Sequence, residues 1–261
     1  MVAAPDGYWD TIAERWVARR PQRSWRTYSD RVNTALCESW LPGEPVGRLL
    51  KTDVFDEVAA AGLLPLLRRR ARQVVGIDRS LGMVRSVRDP AMALVASDVR
   101  SLPFPDGAFD RVFSNSTLDH FDSQDDIRDA LRELARVLHP EGELLLTLDN
   151  LANPVVRLRN ALPSSSLERL GVIPYRMGAT CGPRGLRALC TDAGLEVLAL
   201  GTVMHCPRAP AVAIAGLLDR VATASIREAF LRVLAGFEIL DGWPTRTLSG
   251  YFLTLRARRS R

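Results

Sequence analysis

VGRLLKTD, residues 46–53, is a largely apolar run that ends in three polar residues, as a buried strand leading into a turn does. A helical pattern at 56–69 follows it. The chain then repeats this order with a strand at 74–77, a helix at 81–87 and a strand at 93–96. Strands that alternate with helices are typical of parallel βαβ units. The segment therefore predicts the first strand of a doubly wound α/β domain.

The rest of the chain extends this pattern to a mostly parallel sheet of seven strands. Four further strands are predicted at 109–114, 143–149, 195–203 and 251–256, with helices at 125–138 and 186–193 and a turn at 139–142. Apolar residues at helical spacing make residues 1–45 an N-terminal helical cap, and residues 46–261 form the main domain. The stretches at about 150–180 and 207–241 are long for simple connections and are predicted to be insertions on the ligand side of the sheet.

Composition places the chain among globular proteins. With 261 residues, of which 47% are hydrophobic and 25% charged, it can bury a sizeable core. The net charge is +5, but the arginines are spread along the sequence instead of forming one basic surface. We therefore expect no nucleic-acid partner, and the sequence carries no signal for an oligomeric state.

The sequence also argues against a membrane span, an export signal and a metal site. The longest apolar run, 209–218, is too short to span a bilayer. Residues 1–15 lack the basic start and apolar middle of a signal peptide, which favours a cytoplasmic location. The four cysteines and three histidines do not show metal-ligand spacing, so we expect reduced thiols and no metal site.

Acidic residues follow two of the predicted strands. Asp78 ends the second strand, about 25 residues after the first turn, where a carboxylate can accept hydrogen bonds from both hydroxyls of a ribose. Asp98 follows the third strand and would face an adenine amino group. Because ligands of open parallel sheets bind beyond the carboxyl ends of the strands, these residues predict a nucleotide cofactor there.

Three longer motifs then identify a family. They are LPFPDGAFD at 102–110, SNSTLDHF at 114–121 and RVLHPEGE at 136–143. In this order, after the acid of the second strand, they resemble the class I S-adenosylmethionine-dependent methyltransferases. The resemblance covers roughly residues 46–203 and implies a Rossmann-like methyltransferase fold with S-adenosylmethionine as cofactor.

The resemblance also implies roles for individual residues. Asp78 would bind the ribose, Asp98 and Val99 would contact the adenine ring, and Met83 would pack against that ring. Asn115 would border the methionine part of the cofactor. The resemblance therefore implies a cofactor site that includes three successive strand ends.

The first turn departs from the family pattern. The family usually carries glycines at alternating positions, where this chain has Asp53, Phe55 and Glu57. Lys51 is the single lysine among 35 basic residues. One hypothesis for the segment Lys51-Thr52-Asp53 is that it binds the cofactor, with the lysine ammonium on the methionine carboxylate and Asp53 accepting from the methionine amino group.

A structural interpretation of the same turn stays open. Asp53 and Asp56 have the spacing of a capping box, and acidic residues favour the positive end of a helix dipole. Capping and cofactor binding are compatible.

The resemblance places His120 at the transfer centre, where an imidazole would serve as general base for an acceptor hydroxyl, although a structural role is equally open. The expected function is methyl transfer to a small-molecule acceptor, with donor and acceptor held in line and desolvated. The alternative is a methyltransferase-like fold that carries out a non-methylating reaction or only binds a ligand.

Residues outside the core motifs are candidates for the acceptor pocket. Tyr175, Arg176 and His205 would line it, and Arg157 or Arg159 would attract an anionic acceptor unless they belong to a solvated helix face. Five aromatic side chains of the N-terminal cap would form either a lid or ordinary core: Tyr8, Trp9, Trp16, Trp25 and Tyr28.

Overall fold

A seven-stranded sheet in the order β3-β2-β1-β4-β5-β7-β6 organises the protein. The structure is a computed structural model that describes residues 7–19, 22–41, 43–59, 62–90, 92–170 and 173–260. The strands are β1 Val46–Lys51, β2 Ala71–Asp78, β3 Met92–Ala96, β4 Phe109–Asn115, β5 Leu138–Asp149, β6 Leu195–Val203 and β7 Phe252–Arg259. Pairing is parallel from β3 to β5 and antiparallel at β7, so the predicted mostly parallel seven-stranded sheet is confirmed.

Helices cover both faces of this sheet. They are α1 Tyr8–Arg19, α2 Arg23–Trp40, α3 Phe55–Ala59, α4 Leu64–Arg70, α5 Leu81–Ser86, α6 Gln124–Val137, α7 Pro154–Asn160, α8 Ser164–Arg169, α9 Pro183–Asp192, α10 Arg208–Val221, α11 Ala224–Gly236 and α12 Arg246–Ser249. Short 3-10 helices span Leu118–His120 and Phe237–Gly242. Two helices precede β1, as the helical cap requires, while the domain boundary at residue 45 stays a prediction.

The central strand β1 shows why the sheet is doubly wound. Leu49 and Leu50 are both fully buried but point to opposite faces. Leu50 belongs to the apolar cluster that includes Ile127 and Leu131 of α6, whereas Leu49 belongs to the one that includes Ile12 of α1. A strand covered on both faces keeps apolar residues in succession instead of alternating them.

The prediction of one continuous helix at 56–69 is wrong. The chain forms the two short helices α3 and α4 instead, with Gly62 between them at a φ of 64°. The side chain of Glu57 turns inward, and its Oε1 accepts a hydrogen bond from the backbone N–H of Leu63 at 3.0 Å. An inward carboxylate that binds the next helix start explains the break.

The turn predicted at 139–142 lies within β5. The register between β4 and β5 shifts between Phe109 and Arg111, and Glu141 has a φ of 67°. The extra residues therefore form a bulge at the start of the strand.

The structure also bears on three other features, namely a membrane-spanning helix, a metal site and paired cysteines. No helix in the described ranges has the length and apolar character that crossing a membrane requires. Within the same ranges, His, Cys, Asp and Glu side chains do not form a group of three that would hold a metal ion. The four cysteines are buried and unpaired.

Candidate functional site

A cavity of about 250 Å³ lies at the carboxyl ends of the first four strands. Polar residues at or just after each strand line it: Thr52 and Asp53 after β1, Asp78 at the end of β2, Asp98 after β3, and Ser116 and Thr117 after β4. Ile12 and Trp9 of α1 contribute to its wall. This is the ligand position expected for an open parallel sheet.

Asp78 connects the end of β2 to the first turn. Its Oδ1 accepts from the N–H of Ser80 at 2.8 Å, and its Oδ2 accepts from the N–H of Val54 at 3.2 Å. Burial raises the pKa of Asp78 to about 6, against the opposing effect of the N–H of Ser80. The carboxylate has lone pairs left for a ligand, because each oxygen accepts one backbone bond.

The walls next to Asp78 are apolar. Met83 and Val99 are each 4% exposed and line the cavity on the side of β2 and β3. Ser80 caps the helix that carries Met83 by accepting from its N–H at 3.1 Å. The methionine is therefore held by a capped helix start.

Asp98 lines the cavity but is engaged by Arg100. The guanidinium donates to Oδ1 at 3.1 Å and to Oδ2 at 2.7 Å, and it lies over the ring of Phe121. Burial acts to raise the pKa of Asp98, but the hydrogen bonds from Arg100 outweigh it and hold the pKa below its ordinary value. Asp98 therefore remains a carboxylate, with part of its accepting capacity already used.

Lys51 lies beneath the first turn and does not line the cavity. Its side chain is fully buried, and Nζ lies 2.9 Å from Oε2 of Glu57 and 3.7 Å from Oδ1 of Asp53. The ammonium also donates to the backbone carbonyl of Asp53 at 2.7 Å. Burial acts to lower the pKa of Lys51, but the carboxylates of Asp53 and Glu57 outweigh it, so the lysine stays charged.

Asp53, like Thr52, lines the cavity. Its Oδ2 accepts from the hydroxyl of Thr117 at 2.9 Å, and its Oδ1 accepts from the N–H of Phe55 at 3.2 Å. The second bond is a local cap of α3. Asp56 does not complete the predicted capping box, because it contacts Arg26 and Asn115 instead.

Asn115 lines a second, smaller cavity of about 70 Å³. Its Oδ1 accepts from the hydroxyl of Thr147 at 2.7 Å, which fixes the orientation of the amide. The two cavities share Asp53, Phe55, Ser116 and Tyr175 as lining residues. The predicted site residues are thus divided, with Asn115 on the far side of a shared wall.

His120 lies at this wall in the 3-10 helix Leu118–His120 and lines the larger cavity. Its ring centroid is 5.0 Å from that of Trp9 and 5.3 Å from that of Tyr175. Nε2 lies 3.8 Å from Oδ1 of Asp119, and Nδ1 is buried without a hydrogen-bond partner among the described residues. The imidazole therefore has a nitrogen available for a ligand proton.

Asp119 directly precedes His120 but was not predicted from the sequence as a site residue. It is fully buried, and its Oδ2 accepts from the hydroxyl of Ser116 at 2.7 Å. Burial and the neighbouring Asp149 raise the pKa of Asp119, while His120 opposes this. An acidic residue directly before the histidine of the motif is the sequence signal that could have identified it.

Comparison with known proteins fits this geometry. A family model described as a methyltransferase domain matches residues 59–146. Demethylmenaquinone methyltransferase of Corynebacterium kroppenstedtii is 35% identical over 117 residues, which are 44% of this chain and 49% of that protein. Residues 59–146 thus match a methyltransferase domain, and the chain is similar to the class I S-adenosylmethionine-dependent methyltransferases.

Other relatives define how far the similarity extends. Malonyl acyl-carrier protein O-methyltransferase of Halorhodospira halophila is 39% identical over 110 residues, covering 39% of this chain and 36% of that protein. The crystal structure of the 4+2 cyclase SpnF aligns with a TM-score of 0.58 at 22% identity, covering 88% of this chain and 80% of that chain. The chain spans less than half the length of either curated relative, and the structural likeness establishes the fold alone. The family match begins after the altered turn at 51–57.

The residues predicted to line the acceptor pocket fall into two groups. Tyr175 lines both cavities. Neither Arg176 nor His205 belongs to their linings. Arg176 lies 3.5 Å from a carboxylate oxygen of Glu168, and His205 shares a 2.8 Å hydrogen bond with Ser249.

The two candidate arginines of α7 differ from each other in their surroundings, and the exposed one agrees with the solvated helix face that the sequence left open. Arg157 is exposed. The side chain of Arg159 is 10% exposed and binds the carboxylate of Asp149 and the hydroxyl of Tyr251. An anion-binding role for Arg159 is disfavoured because its charge already has a buried partner.

The N-terminal aromatics contribute two side chains to the cavities. Trp9 lines the larger one and Trp25 the smaller one. Tyr8 donates to Glu168 at 2.9 Å and Tyr28 to Glu238 at 2.6 Å, while Trp16 packs edge-on against Phe55. The cap therefore supplies both ligand-facing rings and core.

Proposed function

We propose that this protein transfers the methyl group of S-adenosylmethionine to a small-molecule acceptor. The observation that carries the proposal is Asp78, a buried carboxylate at the end of β2 with accepting capacity left for ribose hydroxyls. It lies in one cavity with apolar walls suited to an adenine ring. The family match supports the same cofactor.

The donor set of the larger cavity fits this cofactor. Asp78 would hold the ribose, Met83 and Val99 would contact the adenine ring, and Asp98 would accept from its amino group with the lone pairs that Arg100 leaves. At the other end, Asp53 would accept from the methionine amino group. When bound, the cofactor supplies an activated methyl group.

The first turn would contribute to cofactor binding by holding Asp53 in a fixed position. A glycine-rich turn lets the backbone approach a ligand closely, whereas this turn carries larger side chains. Lys51 would hold the carbonyl and carboxylate of Asp53 in place instead of contacting the ligand, because its ammonium is buried under the turn. Thr52 lines the cavity and would contact the ligand directly.

The acceptor would meet the cofactor at the wall shared by the two cavities. His120 would remove a proton from an acceptor hydroxyl, and Asn115 would orient the acceptor from the smaller cavity. Trp9 and Tyr175 surround the imidazole and would exclude water. Rate enhancement would come mainly from alignment and desolvation.

Calorimetry tests this function. Titration of the purified protein with S-adenosylmethionine and with its demethylated product is expected to show binding of both at one site. Absence of binding would overturn the proposal. Mass spectrometry of an acceptor panel containing carboxylates, phosphates, phenols and amines would then identify the methylated class.

A second candidate function is a non-methylating reaction on the same fold. It is favoured by the replacement of the usual glycines with Asp53, Phe55 and Glu57. The structural neighbour SpnF is named a 4+2 cyclase, which illustrates that this fold is not tied to one reaction. Cofactor binding without methylated product across the panel would support this candidate.

A further inference from the structure

The smaller cavity is lined by two arginines that the sequence did not single out. Arg26 of α2 has a side chain that is only 9% exposed, and its Nε has no hydrogen-bond partner among the described residues. NH1 lies 3.7 Å from Oδ1 of Asp56, which is an ion pair beyond hydrogen-bond distance. A buried guanidinium with an unsatisfied donor indicates a missing acceptor.

Arg208 is the second arginine, at the first position of α10. Its guanidinium carbon lies 4.4 Å from the ring centroid of Tyr251, 5.5 Å from that of Phe252 and 5.6 Å from that of Trp25. Among the described residues it forms no ion pair with a carboxylate. Aromatic faces hold the cation in position while leaving its five N–H donors for a ligand.

The location of Arg208 on its helix is electrostatically unusual. The N-terminus of a helix carries a partial positive charge, so a cation there is unfavourable. The cap residue Pro207 offers no side-chain hydrogen bond to the first turn. A bound anion would offset the unfavourable charge of the arginine and would accept hydrogen bonds from the uncapped N–H groups of the first turn.

The acidic residues of the smaller cavity do not neutralise Arg208. Asp53 is engaged by Thr117 and Lys51, and Asp56 by Asn115 and Arg26. Asp149 also acts on Arg208, but its carboxylate is paired with Arg159. The guanidinium of Arg208 therefore keeps its donors for a ligand from outside the chain.

We propose that Arg208 and Arg26 bind an anionic oxygen group, a carboxylate or a phosphoryl group, on the methyl acceptor. At about 70 Å³ the cavity accommodates such a group and not a whole acceptor molecule. The remainder of the acceptor extends past Tyr175 and Ser116, which line both cavities, towards the cofactor. The assignment of the anion to an acceptor rests on the proposed methyl transfer.

The test uses the full chain and inorganic phosphate as the probe. Phosphate binding is followed by calorimetry or by 31P line broadening, in the wild type and in Arg208→Gln. We expect the substitution to weaken binding about tenfold or more, because a charge-assisted, forked donor is lost. Arg220→Gln, which removes an exposed arginine from the other end of α10, is the matched control and is expected to bind phosphate as the wild type does.

The demethylated cofactor separates this inference from the proposed function. Its affinity is expected to be equal in all three proteins, because Arg208 does not line the larger cavity. The anion site is overturned if the wild type fails to bind millimolar phosphate, if Arg208→Gln binds it unchanged, or if the demethylated cofactor competes with phosphate. Phosphate binding that depends on Arg208 in a protein that binds no cofactor would uphold the anion site and refute methyl transfer.

Discussion

Replacing Lys51 with Met tests how the altered first turn is held. Methionine keeps most of the length of the stem but removes the ammonium that lies 2.9 Å from Oε2 of Glu57. Both side chains are almost fully buried, at 0% and 2% exposure. The substitution therefore leaves the carboxylate of Glu57 buried without its counter-charge.

The expected cost is large. Removing one partner of a buried ion pair destabilises a protein by about 3–5 kcal/mol, because the remaining charge loses its compensation. For a chain of this size that corresponds to a fall in the melting temperature of roughly 6–20 °C. Part of the loss will be recovered at low pH, since burial already raises the pKa of Glu57 and the loss of Lys51 raises it further. A raised folded-state pKa gives stability that is present in acid and is lost as the pH rises through that value.

Thermal and urea unfolding at pH 5 and pH 8 measure this effect. Arg72→Met, which removes an exposed cation from β2, is the control and is expected to change stability by less than about 1 kcal/mol. The double variant Lys51→Met, Glu57→Leu should recover most of the loss, because it removes both charges. A single variant as stable as the control, or a double variant no more stable than the single one, would refute the buried-pair explanation.

Three further predictions concern the cavity. Because the pKa of Asp78 is about 6, its carboxylate forms as the pH rises from 5 to 7, and affinity for the demethylated cofactor should rise over that range. The variant Asp78→Asn should bind this cofactor weakly and with little pH dependence. His120→Asn should lower turnover of a hydroxyl acceptor about 10²–10⁴-fold in steady-state assays and leave cofactor affinity unchanged; equal turnover would exclude a general base. Gly178→Ala should lower the melting temperature and the turnover, since its Cβ would collide with the carbonyl of Phe121 beside His120. In the control Gly216→Ala, in α10, the added Cβ has open space and should be stabilising. Identical behaviour of the two variants would contradict this packing.

The fold could be predicted from sequence because its signals are local. Each strand is a short apolar run, and the amphipathic pattern of α6 follows from residues a few positions apart. Asp78 was predicted for the same reason, because its place at the end of a strand is enough to put it at the ligand edge of the sheet. Periodicity continues across a break, however, and this is why the separation of α3 from α4 was not foreseen.

Side-chain direction depends on contacts between distant segments and was predicted less well. The sequence marked Lys51 as unusual, but its orientation is set by Glu57, which turns inward and accepts from the N–H of Leu63 at the break between α3 and α4. Arg159 was a candidate anion ligand, yet its charge is taken by Asp149 from the end of β5. Arg208 carried no signal, since its aromatic surroundings come from α2 and the start of β7.

These contacts give the altered turn a specific consequence. Asp53 is bonded to Lys51 from below and to Thr117 from the side, and it lines both cavities. A glycine at this position would remove one of the side chains that line both cavities, whereas the fixed carboxylate would direct negative charge towards the proposed sulfonium cofactor. The same charge would repel an anionic acceptor group, which favours binding of that group by Arg208, another lining residue of the smaller cavity. An acceptor held at one end by arginine and kept from the turn by Asp53 would present its opposite end to the methyl group.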